Sequence, residues 1–301
     1  MDKKTKLWLI LAASLILMGC ILFGGVMTML KWDFTKLSTI KYETNRYEIP
    51  EEYENIQIVT KTADIVFLPS ENDHTLVICR EEKNVPHTVA VKDNTLVIEA
   101  VDERAWYEYI GISFQSPQIT VYLPQEQYDT LSVKSNTGNV EIPGNFTFDR
   151  INISVSTGSI SIENISAEGL DLSVSTGRIT VSNVNCVGDV SVRVSTGKAS
   201  LTDIRCKNFS TRGSTGNISL TNTVAAETLS IKRTTGDVKL DGCDAAEIFI
   251  ETDTGDVTGT LLSEKVFLVE TDTGRIDVPK SVTGGKCEIS TDTGDIRIRI
   301  Q

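Results

Sequence analysis

The stretch Val174-Ser175-Thr176-Gly177-Arg178-Ile179-Thr180-Val181 decides the fold, because the chain repeats its pattern almost to the last residue. A fixed period of about 20 residues is typical of a solenoid, in which each repeat buries its apolar face only against its neighbours. Thr-Gly pairs recur at steps of 19 or 20 residues and end at Gly138, Gly158, Gly177, Gly197, Gly216, Gly236, Gly255, Gly274 and Gly294.

Apolar and polar residues alternate around each pair. Leu170 and Leu172 precede Gly177 by seven and five residues, and Ile179 and Val181 follow it by two and four. A spacing of two is that of a half-buried strand, so two short strands meet at each Thr-Gly corner. Glycine is expected there because φ is positive or because the next coil passes too close for a Cβ. The sequence predicts an all-β, single-stranded β-solenoid (a β-helix or β-roll) of about nine 19- to 20-residue coils.

An uncharged apolar segment, residues 7–30, follows Lys3, Lys4 and Lys6. About 20 apolar residues are enough to span a bilayer, and lysines on the short side favour a cytoplasmic N-terminus. We therefore expect a single-pass protein of the cell membrane, with a cytoplasmic tail at 1–6, a transmembrane helix at 7–30 and an extracytoplasmic remainder.

Two alternatives concern this segment. A cleaved signal peptide would have a shorter apolar region than this one. Leu17-Met18-Gly19-Cys20 resembles the lipobox of lipoproteins, in which the cysteine is lipidated, but apolar residues follow where a polar tether is expected. The uncleaved anchor is favoured, because the span is complete only when Cys20 lies inside it.

Charge limits the partners of the remainder. The net charge is −12, and the segment up to Leu30 carries three lysines and one aspartate, so the rest of the chain carries −14. Nucleic acids and anionic lipids would be repelled by this charge. We expect no nucleic-acid partner.

Three further regions follow the span: a polar stalk at 31–49, a β-rich N-terminal cap at 50–128 and the repeats at 129–301. Within the cap, Thr62-Ala63-Asp64 is interpreted as a degenerate first coil, since solenoids need atypical terminal units. The last coil would leave an uncovered edge at 296–301, where Arg297 and Arg299 either prevent pairing or meet a partner.

Aromatic residues mark a candidate binding site. All seven tyrosines and all three tryptophans precede residue 129, and the densest cluster outside the membrane region lies at 105–114. Aromatic side chains are frequent anchors of binding sites, although an end plug of the solenoid would use them too. The predicted binding residues are Trp106, Tyr107, Tyr109 and Phe114, with a surface or cell-wall ligand or a membrane protein as partner.

Asp253, Asp272 and Asp292 each begin an Asp-Thr-Gly sequence. Aspartic proteases need two such loops facing each other, whereas one column of the repeat displays them side by side. Together with Asp237, Asp256 and Asp295 they form an acidic ladder, which is either a solvated face or a candidate calcium site. No other cofactor is expected.

No catalytic residue is predicted. A nucleophilic triad needs a histidine, and His74 and His87 both lie in the cap, away from the serine-rich columns. Cys186 and Cys206 occupy a column otherwise filled by alanines, so they are either small core residues or a disulfide between adjacent coils.

The Thr-Gly coils from Asn136 onward, the opening coil and the anchor followed by Trp32-Asp33-Phe34 resemble a bacterial family of cell-surface β-strand repeat proteins known as "putative adhesins". The resemblance implies a non-catalytic surface module that binds cell-wall or host ligands. Some relatives occur beside envelope-stress systems, which implies sensing at the membrane as an alternative. A polysaccharide-processing enzyme is disfavoured, because the coils contain no tyrosine or tryptophan platform.

Overall fold

The computed structural model describes residues 2–102, 104 and 115–301, without the side chain of residue 35. Its helix α1 spans Lys3–Met29, and a short 3₁₀ helix follows at Phe34–Leu37. Leu9, Ile16 and Leu22 on α1 are each more than half exposed, as expected of a helix surrounded by lipid. By length and composition α1 is able to cross a membrane.

Nineteen strands make up the rest of the described chain and join into one continuous sheet. In chain order they are β1 Tyr42–Ile49, β2 Asn55–Thr62, β3 Asp64–Pro69, β4 Thr75–Glu82, β5 His87–Lys92, β6 Thr95–Ala100, β7 Gln118–Leu123, β8 Gln127–Thr137, β9 Val140–Ile142, β10 Phe146–Cys186, β11 Asp189–Thr215, β12 Ile218–Thr235, β13 Val238–Cys243, β14 Glu247–Thr254, β15 Val257–Leu261, β16 Lys265–Thr273, β17 Ile276–Asp277, β18 Gly285–Thr293 and β19 Ile296–Ile300.

The predicted solenoid is confirmed by parallel, in-register pairing of equivalent positions. Gly177 of β10 is the register partner of Gly197 of β11, one coil later in the stack. Inside each coil the alternating apolar residues are buried and form one core along the stack. Gly177 has φ of 149°, and an ideal Cβ on it would lie 1.7 Å from the carbonyl oxygen of Gly158. The corner therefore requires glycine for both of the reasons that the sequence suggests.

A second corner follows six residues after the glycine, and the sequence did not reveal it. Asn164, Asn183, Asp203 and Asn222 have φ between 48° and 56°, a left-handed conformation that Asn and Asp tolerate better than most residues. The amide Nδ2 of Asn183 donates to Oδ1 of Asn164 at 2.6 Å, so this column is also joined from coil to coil.

The cap contains two further coils. Strands β2 and β3 pair in parallel with β8 and β9, so Thr62-Ala63-Asp64 lies at the corner of a coil. Strands β6 and β7 pair in parallel with β2 and β3 on the other side, so they form a coil outside the first one. Strand β4 pairs antiparallel with β7 and β1, and β5 pairs antiparallel with β6. The predicted stalk was too long, since β1 belongs to the cap.

The order of the coils changes at the other end. Strand β18 lies between β14 and β16, and β19 lies between β15 and β17. The coil that comes last in the sequence is therefore the second from the end in space, and the predicted edge at Arg297 and Arg299 is wrong. The outermost coil is formed by β16 and β17, where Leu268 and Ile276 are about half exposed. Periodicity defines the shape of a coil but not its place in the stack.

Candidate functional site

A buried polar cluster in the cap is the densest group of chemically active side chains that the structure describes. Glu81 and His87 are almost fully buried, and His87 Nδ1 lies 2.6 Å from Glu81 Oε2. The backbone N–H of His87 donates to the same oxygen at 2.7 Å. Asn45 Nδ2 donates to Glu81 Oε1 at 2.7 Å, and Thr60 Oγ1 lies 3.1 Å from His87 Nε2. Each polar group of the cluster thus has a partner.

Cys79 completes this group. Cys79 and Glu81 are two residues apart on β4, so their side chains point to the same face of the strand. Ligand atoms of Cys79, Glu81 and His87 all lie within 4.8 Å of one another. Burial, and then the negative charge of Glu81, raises the pKa of the Cys79 thiol to about 12. Without a cation beside it, this thiol is protonated at neutral pH.

Thr60, His87 and Glu81 have the order of a hydroxyl, imidazole and carboxylate triad. The sequence gives no sign of this arrangement, because the three residues come from β2, β5 and β4 and no local motif connects them. The adjoining cavity has a volume of about 80 Å³. This volume, which the described residues enclose, is far smaller than that of sites that bind drug-sized ligands.

Charged side chains border the same cavity. Asp102 accepts hydrogen bonds of 2.9 Å from Nε and Nη2 of Arg104, and Lys61 Nζ approaches it to 2.9 Å. The Arg104 side chain, with help from Lys61, holds the pKa of Asp102 well below its usual range. Arg104 also reaches Glu82 at 3.3 Å, which links β4 to the segment after β6.

The predicted binding residues Trp106, Tyr107, Tyr109 and Phe114 lie outside the described residues. The residues flanking them are described: Arg104 belongs to the ion cluster, and the carbonyl of Gln115 accepts a 2.8 Å hydrogen bond from Tyr42 Oη. Tyr42 begins β1, which is the strand nearest to α1 in the chain. Both flanks are therefore attached to the cap.

A second feature of the cap is a groove of about 480 Å³. Its lining combines acidic residues, a histidine and an aromatic ring, and includes Glu48, Glu71, His74, Leu76 and Tyr122. The size and the mixture of polar and apolar groups are typical of sites that hold small ligands. No sequence motif marks this groove, since most of its lining comes from β1, β4, β7 and the turn between β3 and β4.

Residues 53–187 and 185–301 each match the Toastrack DUF4097 domain. The chain belongs to this family. The match covers the cap from residue 53 onward and every coil of the solenoid, and leaves out α1 and β1. It confirms the predicted relationship to a repeat family of this architecture.

Three solved structures illustrate the similarity of the Toastrack fold. A "putative adhesin" from Bacteroides fragilis is 16% identical, and the alignment covers 86% of this chain and 97% of that one with a TM-score of 0.44. A "putative adhesin" from Parabacteroides distasonis is 14% identical, and the alignment covers 74% of this chain and 97% of that one with a TM-score of 0.41. A "putative lipid binding protein" from the same species is 12% identical, and the alignment covers 72% of this chain and 94% of that one with a TM-score of 0.28. No functionally curated protein matches significantly.

The acidic residues just after the Toastrack glycines have a structural role. Asp237 Oδ1 accepts the backbone N–H of Asp256, Asp256 Oδ1 that of Asp295, and Asp295 Oδ1 that of Arg275, at 2.8 to 3.1 Å. Each carboxylate thus binds the next coil in space, in the order that the strand pairing shows. A backbone N–H donor stabilises part of the negative charge on each carboxylate, which reduces the need for a bound cation.

The other acidic column, Asp253, Asp272 and Asp292, is exposed. Because β18 lies between β14 and β16, Asp292 stands between the other two. Among the described residues, only Cys79, Glu81 and His87 bring ligand atoms close enough together to surround one metal ion. The Asp-Thr-Gly column therefore remains a prediction as a calcium site, with no support from proximity.

The cysteine column shows the packing that its alanine neighbours suggested. Cys186 and Cys206 are buried free thiols, in line with Ala167, Ala225 and Ala245, which are buried as well. Burial raises the pKa of Cys206 to about 12. Both residues serve as small core side chains.

Proposed function

We propose that this Toastrack protein is a single-pass membrane protein whose solenoid lies outside the cytoplasm and binds a surface ligand or a membrane partner without catalysis. The observation that carries the proposal is the arrangement of an exposed apolar helix, α1, next to a rigid β-solenoid. Lysines precede the helix, which favours a cytoplasmic N-terminus. The remaining mass then lies on the other side.

The distance between anchor and cap supports a role close to the membrane. Residues 30–41 separate α1 from β1. Even a fully extended chain of this length reaches at most about 40 Å. The cap is therefore the membrane-proximal end, and the coils extend away from it as a rod.

Binding is proposed at the cap rather than along the coils. The groove beside His74 and Tyr122 lies in the cap, and the cluster of Trp106, Tyr107, Tyr109 and Phe114 falls within the same part of the sequence. The coils carry polar columns and no tyrosine or tryptophan, so they lack the aromatic anchors that dominate binding energy in most interfaces.

Topology is tested with protease on intact, wall-stripped cells. We expect digestion of the coils and survival of a small fragment that contains α1. Full protection of the coils in intact cells, with digestion only after lysis, would contradict the proposal. Mass spectrometry of the N-terminal fragment, with or without lipid on Cys20, decides between the uncleaved anchor and the lipoprotein alternative.

Binding is tested with pull-down experiments from cell envelopes. Replacing Trp106, Tyr107 and Tyr109 together by Ser is expected to abolish retention of the partner, while the β-type circular dichroism stays unchanged. The control is Arg193→Ser, an outward-facing change on a coil. Equal retention by both variants would remove the aromatic cluster from the proposal and leave the groove.

A further inference from the structure

We propose that Cys79, Glu81 and His87 form a zinc site that fastens the strands of the cap to one another. The three residues supply a sulfur, an oxygen and a nitrogen, the ligand types that zinc accepts. Harder cations such as calcium and magnesium prefer oxygen ligands alone, so they fit this set poorly. None of these three residues lines the groove.

The distances suit one ion. Ligand atoms around a tetrahedral zinc lie about 3.3 to 3.6 Å apart, as follows from metal bonds of about 2.0 to 2.3 Å. In the cap all three ligand atoms lie within 4.8 Å of one another, and His87 Nδ1 and Glu81 Oε2 are separated by 2.6 Å. Changes in separation of at most about 1.5 Å therefore bring the three atoms to metal-binding distances.

The charges balance as well. Cys79, Glu81 and His87 are almost fully buried, and among the described residues no lysine or arginine forms an ion pair with Glu81. A zinc ion would displace the thiol proton of Cys79, and its two positive charges would match one thiolate and one carboxylate. The imidazole proton would then stand on Nε2 of His87. A neutral assembly of this kind avoids the cost of an unpaired buried charge.

Neighbouring side chains already occupy the supporting positions of a metal site. Ligating histidines usually donate their second ring N–H to an acceptor, and Thr60 Oγ1 lies 3.1 Å from His87 Nε2. Ligating carboxylates are themselves held by hydrogen bonds, and Asn45 Nδ2 holds Glu81 Oε1 at 2.7 Å. The cavity of about 80 Å³ beside His87 is large enough to hold a water molecule near the site.

Such an ion would join β4 directly to β5, and it would be tied to β1 through the hydrogen bond from Asn45 to Glu81. Cys79 and Glu81 lie on β4, His87 begins β5, and Asn45 belongs to β1, the strand that follows the membrane anchor. Because an ion binds the folded cap and not the unfolded chain, its binding free energy adds to the stability of the cap.

The test uses the full chain in detergent, purified without a polyhistidine tag. Elemental analysis is expected to find about one zinc per chain. After chelation, zinc at about 100 times its Kd is expected to raise the Tm by about 5 to 10 °C. Cobalt in place of zinc is expected to give a thiolate charge-transfer band. No retained zinc, together with no shift in Tm on adding zinc, would overturn the proposal and leave a hydrogen-bond network only.

Variants identify the ligands. Cys79→Ser and His87→Gln are expected to lose the zinc and the Tm response, and Cys79→Ser to lose the cobalt band. The matched controls, Cys287→Ser in a distant coil and the exposed His74→Gln, are expected to keep both. If a ligand variant does not fold, the wild type is denatured and refolded with and without zinc instead. Protection of the Cys79 thiol from alkylation is then compared between the two samples. Zinc bound equally by all four variants would overturn the assignment.

Discussion

The guanidinium of Arg233 occupies the space that a side chain at Gly213, in the neighbouring coil, would fill. An ideal Cβ on Gly213 would lie 1.7 Å from Nη1 of Arg233, and that Nη1 donates to the carbonyl of Val194 at 2.6 Å. Equivalent positions in other coils are Val155 and Val174. Arg233 is 1% exposed, and its Nε and Nη2 have no partner within the described part of the chain.

Replacing Arg233 by Met is expected to raise the Tm. Each unpaired buried polar group costs about 1 to 3 kcal/mol, and this gain exceeds the loss of about 1 kcal/mol for the single hydrogen bond to Val194. Thermal unfolding measures the change, with the exposed Lys232→Met as control. If Arg233→Met instead lost as much stability as a core truncation, the guanidinium would have to make a further stabilising contact besides its hydrogen bond to Val194.

Gly197→Ala is expected to destabilise the protein by more than about 2 kcal/mol, since a Cβ at a positive φ is strained and also overlaps backbone. Its ideal Cβ would lie 1.8 Å from the carbonyl oxygen of Gly177. Gly169→Ala is the matched control, because nothing lies within 4 Å of its ideal Cβ. Chemical denaturation compares the two. Equal midpoints would contradict the corner geometry.

The order of the last coils is tested by crosslinking. Glu251 is the register partner of Ser290, and Ser290 is the partner of Glu270. Cysteines at 251 and 290 are therefore expected to form a disulfide. Cysteines at 251 and 270 would be two strand spacings apart, about 10 Å, and are expected to stay reduced. The opposite result on a non-reducing gel would restore the sequential order of the coils.

Acid stability is expected to depend on Asp102. Its pKa is depressed in the folded state by Arg104 and Lys61, so its contribution is complete above the unfolded value of about 3.9 and is lost as the pH falls below it. Asp102→Asn is expected to lower the Tm at pH 7 and to flatten its decline below pH 4. The control is the exposed Asp73→Asn. Parallel pH curves for wild type and Asp102→Asn would contradict the assignment.

The coils were predictable from the sequence because their determinants are local. The alternation around Gly177 and the glycine itself report burial and a positive φ within one coil, and both are observed. The hairpin turn at Asp93 and Asn94, each with positive φ, is a local signal of the same kind.

The rest was not predictable, for two physical reasons. The coils offer nearly identical edges, so no periodicity distinguishes Ser290 from Glu270 as the neighbour of Glu251. The polar cluster of Thr60, His87 and Glu81 depends on antiparallel pairing in the cap, where strands distant in the chain meet without a repeated pattern. A single histidine or glutamate in the sequence does not indicate which side chains it will contact.

The in-register stacking of near-identical coils also makes reach an adjustable property of this architecture. Inserting or removing one whole coil would change the rod by about 4.8 Å and leave the cap, the membrane anchor and the outermost coil as they are. Gene duplication within the repeat would therefore lengthen the rod in equal increments, without a new core having to evolve. A longer rod needs only more copies of the same twenty residues.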